Sequence, residues 1–418
     1  MKIAFLSNKD PSIPEIDTDG GAVTPRHYAL ELGIRGHIVD IYTPQVLIGD
    51  AHNAYLRDKF NAQKESEKYL EKNVRVIRLP VKTVNRSKFN TGETKDLAGI
   101  LESFLFADAF EQEQLKGYDL VNFFHPLTAY GIINRRKVDL IRTVLFPMLL
   151  SDHYLKYQSL SRAYCEMEQL LLTEVGHIFS PTQDEVRILT SRGIPEEKIN
   201  VVYRGFDETI FYPRIRHQFS KKTKERISIV CTNAVRPQKA QHQLVYIADL
   251  LKREGINPKI LIVGEKDRFY KPEHEEYYKN LNSLIARNNL QDNFNFVGYV
   301  APNVVAHILR SSDIAVYPSE SESFGKSVLE AIATGIPTIV GNDIPAYEEF
   351  MKTGINVLSV ERNSDEFART IKFLINNEDL YTSLSKQGVE STRNFTWKGV
   401  TKKLEELYVA ILLEADKK

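Results

Sequence analysis

Cysteine and tryptophan are nearly missing from this chain, with two Cys and one Trp in 418 residues. Cys165 and Cys231 lie far apart and lack the spacing of a zinc site or a CxxC redox pair, so a reducing, cytoplasmic setting is expected. Net charge is missing too. Fifty-five Lys and Arg offset 55 Asp and Glu, so no global field draws the protein to nucleic acid or an anionic membrane, and any phosphate it binds must be caught locally. No apolar run reaches the ~18 residues of a bilayer span. The start, MKIAFLSNKDPS, lacks the ordered segments of a signal peptide and reads as a first strand. Peripheral membrane contact stays open. Several site signatures are also lacking: no GxGxxG follows a strand, and no GxxxxGK(S/T), HExxH or GxSxG occurs. That removes the usual marks of a dinucleotide oxidoreductase, a P-loop NTPase, a zincin protease and an α/β-hydrolase.

What is present is the composition of a soluble globular protein, 42% hydrophobic and 26% charged, in a chain longer than one compact core usually holds. KIAFLS reads as a buried strand, followed by a polar loop through Gly20-Gly21 and a helix opened by Thr24 and Pro25, good N-cap and N1 residues. Gly36 stops that helix and HIVDIYT is the next strand. VRVIRLPV, YDLVNFF, RTVLF and HIFSPT are further short strands. Residues 51–73 and 82–97 are polar and read as surface helix and loop. Near Val201 the pattern changes to VVYRGFDETIFYPRIRHQFSKKTKER, a boundary between domains. The second half alternates strand and helix: RISIVCTN, a helix with Leu244, Ile247, Ala248 and Leu251 on one stripe, KILIVG, FNFVG, DIAVYPS, a helix over 326–334, and PTIVG. Such alternation implies a parallel sheet with helices on both faces. A last helix carries Val400, Leu404, Leu407, Tyr408 and Ile411 on one stripe. The expected division is 1–205, 206–395, and a helix over 396–418 that packs back on the first domain.

In open parallel sheets ligands sit beyond the carboxyl ends of the strands. After RISIVCTN, Arg236 and Lys239 precede a helix start, where an anion is favoured; they read as a diphosphate seat or as two solvated cations. After FNFVG, Gly298, Tyr299 and Val300 could meet a planar base, or Tyr299 could simply pack. After DIAVYPS comes SESESFGKSVLE. Glu322 falls in the loop before a helix starting near Lys326, and Glu330 about two turns along it, off the apolar stripe. They are too far apart to share a proton. They read as grips on two parts of one long ligand or as two solvated acids. Gly325 would let the backbone of Lys326 and Ser327 approach an anion. His125 ends YDLVNFF and Gly20-Gly21 precede the first helix; each has an ordinary structural reading as well.

Taken in order, these pieces resemble the retaining glycosyltransferases of family 4. The match includes Gly20-Gly21 before ELGIRGHIVDIYT, FFH at His125, IFSPTQDEVRIL, KINVVYRGFDETIFYP, Arg236 with Lys239, FVGYV, Glu322 through Glu330, GIPTIV and Trp397. The resemblance implies an α/β GT-B fold of two facing Rossmann-like domains. It implies a nucleotide-sugar donor and a hydroxyl acceptor, transfer of a hexose with retention by a front-face route, and no cofactor or metal. Arg236 and Lys239 would take the diphosphate and Glu330 the ribose. Glu322, with the backbone from Phe324 through Gly325 and Lys326 to Ser327, would hold the sugar, and Gly298 to Val300 the base. Gly20-Gly21 and His125 would close over the donor. Three departures stand out. Arg236 is only three residues before Lys239, Arg204 replaces the usual Asn of the linker motif, and Pro147-Met148 replace a Thr and His. The apolar RTVLFPMLLSDHYLKY is expected to shape the acceptor site. Alternatives are a GT-B nucleotide-sugar epimerase, a sucrose-phosphate-synthase-like enzyme, or a non-catalytic glycan- or polypeptide-binding subunit.

Overall fold

The computed structural model describes residues 1–13, 20–47, 54–84, 89, 94, 96–111, 113–148, 150–152, 160–214, 226–265 and 272–417. The chain divides into two compact units, Met1–Gly205 with Trp397–Lys418, and Phe206–Thr396.

The strands of the first unit are β1 (Lys2–Ser7), β2 (Ile38–Gln45), β3 (Glu67–Glu71), β4 (Val74–Pro80), β5 (Leu120–Phe124), β6 (Thr143–Phe146), β7 (His177–Ser180) and β8 (Ile199–Val201). Its helices are α1 (Gly20–Ile34), α2 (Ala54–Ala62), α3 (Leu97–Asp108), α4 (Pro126–Asn134), α5 (Arg162–Glu174) and α6 (Gln183–Ser191), with a last helix, Trp397–Ala415, returning at the far end of the chain. The sheet runs β3-β4-β2-β1-β5-β6-β7-β8. All its pairings are parallel except the antiparallel β3–β4 edge. Successive side chains of β1 enter opposite cores. Ile3 and Phe5 pack with Tyr28, Trp397 and Tyr408, while Ala4 and Leu6 pack with Phe106, Ile132 and Leu171. A strand covered on both faces must be apolar throughout, which is why KIAFL shows no alternation.

The second unit holds β9 (Arg226–Cys231), β10 (Asn257–Val263), β11 (Phe294–Gly298), β12 (Ile314–Tyr317), β13 (Thr338–Gly341) and β14 (Leu358–Val360). Between and after them lie α7 (His242–Arg253), α8 (Pro272–Arg287), α9 (Pro302–Ser311), α10 (Lys326–Ala333), α11 (Ser364–Ile375) and α12 (Glu378–Thr392). The helix at Trp397–Ala415 is therefore α13. The six strands are all parallel, ordered β11-β10-β9-β12-β13-β14. The stripe Leu244, Ile247, Ala248 and Leu251 of α7 is buried, as is Val400, Leu404, Tyr408 and Ile411 of α13.

Three expectations change. Helix α1 begins at Gly20, so Gly20-Gly21 belong to it rather than to a loop, and Thr24 and Pro25 lie inside it. Pro25 is the sixth residue of α1, past the first turn, so it forgoes the bond its N–H would have made to the Gly21 carbonyl. Within 51–73, read as helix and loop, β3 forms an edge strand. Its sequence EKYLE is mostly exposed and charged, as suits a sheet edge. The third change concerns Glu330. It is the fifth residue of α10, one turn in rather than two, and it is buried rather than on a wet face.

Candidate functional site

In the second unit the strand order reverses between β9 and β12: β10 and β11 build outward on one side, β13 and β14 on the other. The loops leaving β9 and β12 therefore diverge and open a crevice, the usual ligand position in such sheets. Both loops carry the charges singled out from the sequence. Lys239 closes a short 3₁₀ turn, Pro237–Lys239, that Arg236 opens. Its ammonium lies 2.7 Å from Glu322 Oε2. The two loops are also joined by backbone, Glu320 N donating to Gln238 O at 2.8 Å. Ser319 Oγ donates to Glu322 Oε1 at 3.0 Å. Glu322 is thus held from two directions by residues of two loops.

Beneath this pair is a buried polar layer. The Cys231 thiol is pushed up to about 12 by burial, with Lys239 lowering and Glu322 raising it, so it stays protonated near neutrality. Tyr317 is fully buried, its hydroxyl 2.6 Å from Thr232 Oγ1 and donating to the Ser327 carbonyl at 3.1 Å. Burial pushes its pKa well above the ordinary tyrosine value.

Gly325 caps α10 with φ 88°, a left-handed conformation that suits glycine. A Cβ at this position would run into the Tyr347 ring, which packs against the loop. The first N–H groups of α10, from Lys326 and Ser327, have no carbonyl inside the helix to bond. One turn on, Glu330 pairs with Lys326. The i,i+4 arrangement brings its carboxylate back toward the helix start, which a position two turns in would not have allowed.

On the other side of β9, Gly264 N donates to Gly298 O at 3.0 Å, and a Cβ on Gly264 would collide with the Asn233 carbonyl. The ends of β9, β10 and β11 thereby close into one rim. Gly298 has φ 79°, and Tyr299 beyond it is 42% exposed. The structure thus places Arg236, Lys239, Gly298, Tyr299, Val300, Glu322, Phe324, Gly325, Lys326, Ser327 and Glu330 along the carboxyl ends of one sheet, and pairs Lys239 with Glu322 and Lys326 with Glu330.

In the first unit the reversal lies between β1 and β5. His125 follows β5 with φ 119°, a strained value for a residue with a Cβ. Its Nδ1 accepts from Leu127 N at 3.1 Å, capping α4 and leaving Nε2 as the protonated nitrogen of the neutral ring. The two first-unit departures from the family pattern meet each other, since Arg204 Nη2 donates to the Met148 carbonyl at 2.6 Å, where Met148 has φ 65°. Of RTVLFPMLLSDHYLKY, residues 149 and 153–157 lie outside the described residues. Ser151 is fixed by Glu168, its hydroxyl donating at 2.5 Å, and Arg192 holds both Glu168 and Asp152.

Sequence reasoning missed Ser319, Tyr317, Tyr347 and Arg362. The Arg362 guanidinium joins Asp343 beyond β13 to Glu320 in the β12 loop, at 3.1 and 3.3 Å. Glu320 is therefore part of a clamp. No local pattern announces such a residue, because its partners come from other strand ends.

The model of the glycosyl transferases group 1 family matches residues 213–391, and that of the glycosyl transferase 4-like domain matches 19–205. The chain belongs to the group 1 glycosyltransferases. This glycosyltransferase is 23% identical over 439 residues to mannosylfructose-phosphate synthase of Agrobacterium fabrum, spanning 97% of this chain and 90% of that protein. It is 28% identical over 212 residues to an uncharacterized glycosyltransferase of Methanocaldococcus jannaschii, which covers 50% of this chain and 53% of the relative. The chain thus spans about half the length of some curated relatives and nearly all of another. Its fold matches sucrose-phosphate synthase from Thermosynechococcus elongatus with TM-score 0.78 at 18% identity, covering 99% and 100% of the two chains. It also matches Anabaena HepE in complex with UDP-glucose, with TM-score 0.66 at 16% identity over 98% and 100%. The glycosyltransferase has the GT-B fold class, and among its described residues no helix is long and apolar enough to cross a membrane.

Proposed function

We infer that this glycosyltransferase moves a hexose from a nucleoside diphosphate sugar to a hydroxyl acceptor with retention at the anomeric carbon, without a metal, in a cytoplasmic setting. The observation that carries the reading is the Lys239–Glu322 pair at the strand-order reversal of the second sheet, 2.7 Å apart and partly open to solvent. A cation that must meet a diphosphate and a carboxylate that must meet sugar hydroxyls stand side by side, as the two ends of a sugar–phosphate bond require. Glu330 then takes the ribose hydroxyls and the rim at Gly298 to Val300 the base. The backbone from Phe324 to Ser327 supports the sugar.

In the front-face route the anomeric C–O bond to the phosphate breaks while a bond to the acceptor oxygen forms on the same face. The acceptor proton passes to the departing phosphate oxygen. Charge grows on the diphosphate in this step, and Lys239 with Arg236 stabilises it, which favours the transition state over the bound donor. In this reading His125 and Gly20-Gly21, at the strand ends of the first unit, serve the donor. Two relatives aligned over nearly the whole chain are named as sugar-phosphate synthases, which favours a phosphorylated sugar as acceptor over a polymer.

The test begins with a thermal-shift screen of UDP-, GDP- and ADP-sugars, since a bound donor raises the apparent stability. Calorimetry of Lys239→Ala and Glu330→Ala with the selected nucleoside diphosphate follows. Loss of one charge-assisted contact weakens affinity roughly tenfold or more. Wild-type affinity in both variants would falsify the assignment, and activity that disappears with chelator and returns with magnesium or manganese would refute metal independence.

A further inference from the structure

Tyr347 lies in the turn Pro345–Glu349 that follows β13, outside the motif running from Glu322 to Glu330. It is 1% exposed, and its ring occupies the space that Gly325 leaves by lacking a Cβ. Phe350 holds the ring from another side, with centroids 6.2 Å apart. The hydroxyl is buried and makes no hydrogen bond of good geometry, although the Ser319 hydroxyl and the Glu322 carboxylate are among its neighbours. Burial holds the phenol's pKa well above the ordinary tyrosine value, so it remains an O–H donor near neutrality. A buried hydroxyl with no well-aligned partner among the described residues is unusual in a native interior, where nearly all such groups are satisfied.

The route to Glu322 runs through Ser319, which neighbours the phenol and donates to the carboxylate at 3.0 Å. In the ligand-free site Glu322 draws on the Lys239 ammonium and the Ser319 hydroxyl. Once a donor's diphosphate claims part of the Lys239 ammonium, Glu322 loses part of that support just when it must be oriented toward the sugar. We propose that Tyr347 is a positioning residue, whose buried hydroxyl takes over as hydrogen-bond donor to Glu322 when the diphosphate engages Lys239, fixing the carboxylate for the sugar hydroxyls. The inference rests on the donor-site reading above. It adds that recognition of the sugar, as distinct from the nucleotide, depends on a residue of the β13 turn.

The decisive variant is Tyr347→Phe, which keeps the ring against Gly325 and removes only the hydroxyl. Calorimetry compares UDP with UDP-glucose, GDP with GDP-mannose, and ADP with ADP-glucose, using the pair that the wild type binds. The expected result is unchanged affinity for the bare diphosphate, roughly tenfold weaker affinity for the nucleotide sugar, and a melting temperature raised by roughly 2–4 °C, because an unsatisfied buried donor is gone. A ring that serves packing alone predicts another outcome: both ligands affected equally or not at all, whatever happens to the melting temperature. Either of those results overturns the proposal. Lys239→Ala separates the two levels. If it leaves diphosphate affinity intact, the donor-site reading itself fails, and if it abolishes that affinity while Tyr347→Phe binds the nucleotide sugar like wild type, only the positioning role fails.

Discussion

Both sheets reverse their strand order, and both carry an ion pair at their carboxyl ends, yet the two pairs are built differently. In the first unit Asp10, just after β1, meets Arg78 of β4 at 2.8 Å, with side chains 0% and 2% exposed. Gln63 donates to the same carboxylate at 2.9 Å, Ser12 Oγ at 2.6 Å to its other oxygen, and Arg78 also donates to Ser12 Oγ at 2.7 Å. In the second unit Lys239 and Glu322 are 16% and 11% exposed, and Lys326 and Glu330 are 33% and 11% exposed. The first pair is sealed and saturated with hydrogen bonds. The second set keeps donors and acceptors at the edge of water, where a ligand can replace a partner. A sealed pair fixes a loop, whereas a half-open pair leaves its charges where solvent or a ligand can reach them.

The largest effect should come from breaking the sealed pair. Asp10→Asn leaves the Arg78 charge buried without its counterion, and urea unfolding should show a loss of about 3–5 kcal/mol. The loss should depend on pH. Burial would raise the Asp10 carboxyl, but hydrogen bonds from Ser12, Arg78 and Gln63, with the Arg78 charge, outweigh it and hold the group below its ordinary 3.8. A carboxyl depressed in the folded state stabilises above 3.8 and loses that contribution as the pH falls through its lower folded value. The stability gap between wild type and Asp10→Asn should therefore narrow in acid, and a gap constant from neutrality to pH 2 would contradict the comparison.

Next in size, Gly325→Ala introduces a Cβ into a left-handed position occupied by the Tyr347 ring. It should cost about 1–3 kcal/mol of stability and weaken nucleotide-sugar binding with it. Lys239→Met should alter stability by less than about 2 kcal/mol, between the limits for exposed and buried pairs, while affinity for the diphosphate collapses. A stability loss as large as that of Asp10→Asn would erase the distinction between the two regions. The smallest effect belongs to Arg362→Gln, whose pairs with Asp343 and Glu320 lie nearer the surface. About 0.2–1 kcal/mol is expected, read by thermal melting.

The same contrast marks what the sequence could disclose. Strands covered on both faces announce themselves as continuous apolar runs, and KIAFLS, YDLVNFF and RISIVC lie where those runs are. Strand β3 was missed because an edge strand with Glu and Lys at most positions carries no apolar signal. The Lys326–Glu330 pair lies within one helix, where spacing along the chain approximates spacing in the fold, whereas the Lys239–Glu322 pair joins the loops after two separate strands. Glu330 was misplaced because apolar periodicity locates a stripe but not which polar residue beside it is covered. Asp10 and Arg78 are 68 residues apart, and Arg362 finds its partners beyond β12 and β13. Such pairs exist only once the sheet has chosen its strand order.

The first unit is closed by the last part of the chain. Trp397 stacks on His27 at 4.9 Å and sits so close to Gly205 that a Cβ there would meet the indole at 2.7 Å, while Tyr408 donates to Asn122 at 2.5 Å. During synthesis the ribosome delivers the whole second unit before α13 emerges. Until then Tyr28, Phe146 and Phe179 lack the aromatic cover that Trp397 and Tyr408 supply. This apolar face of the first unit is therefore completed only after the whole second unit has been made.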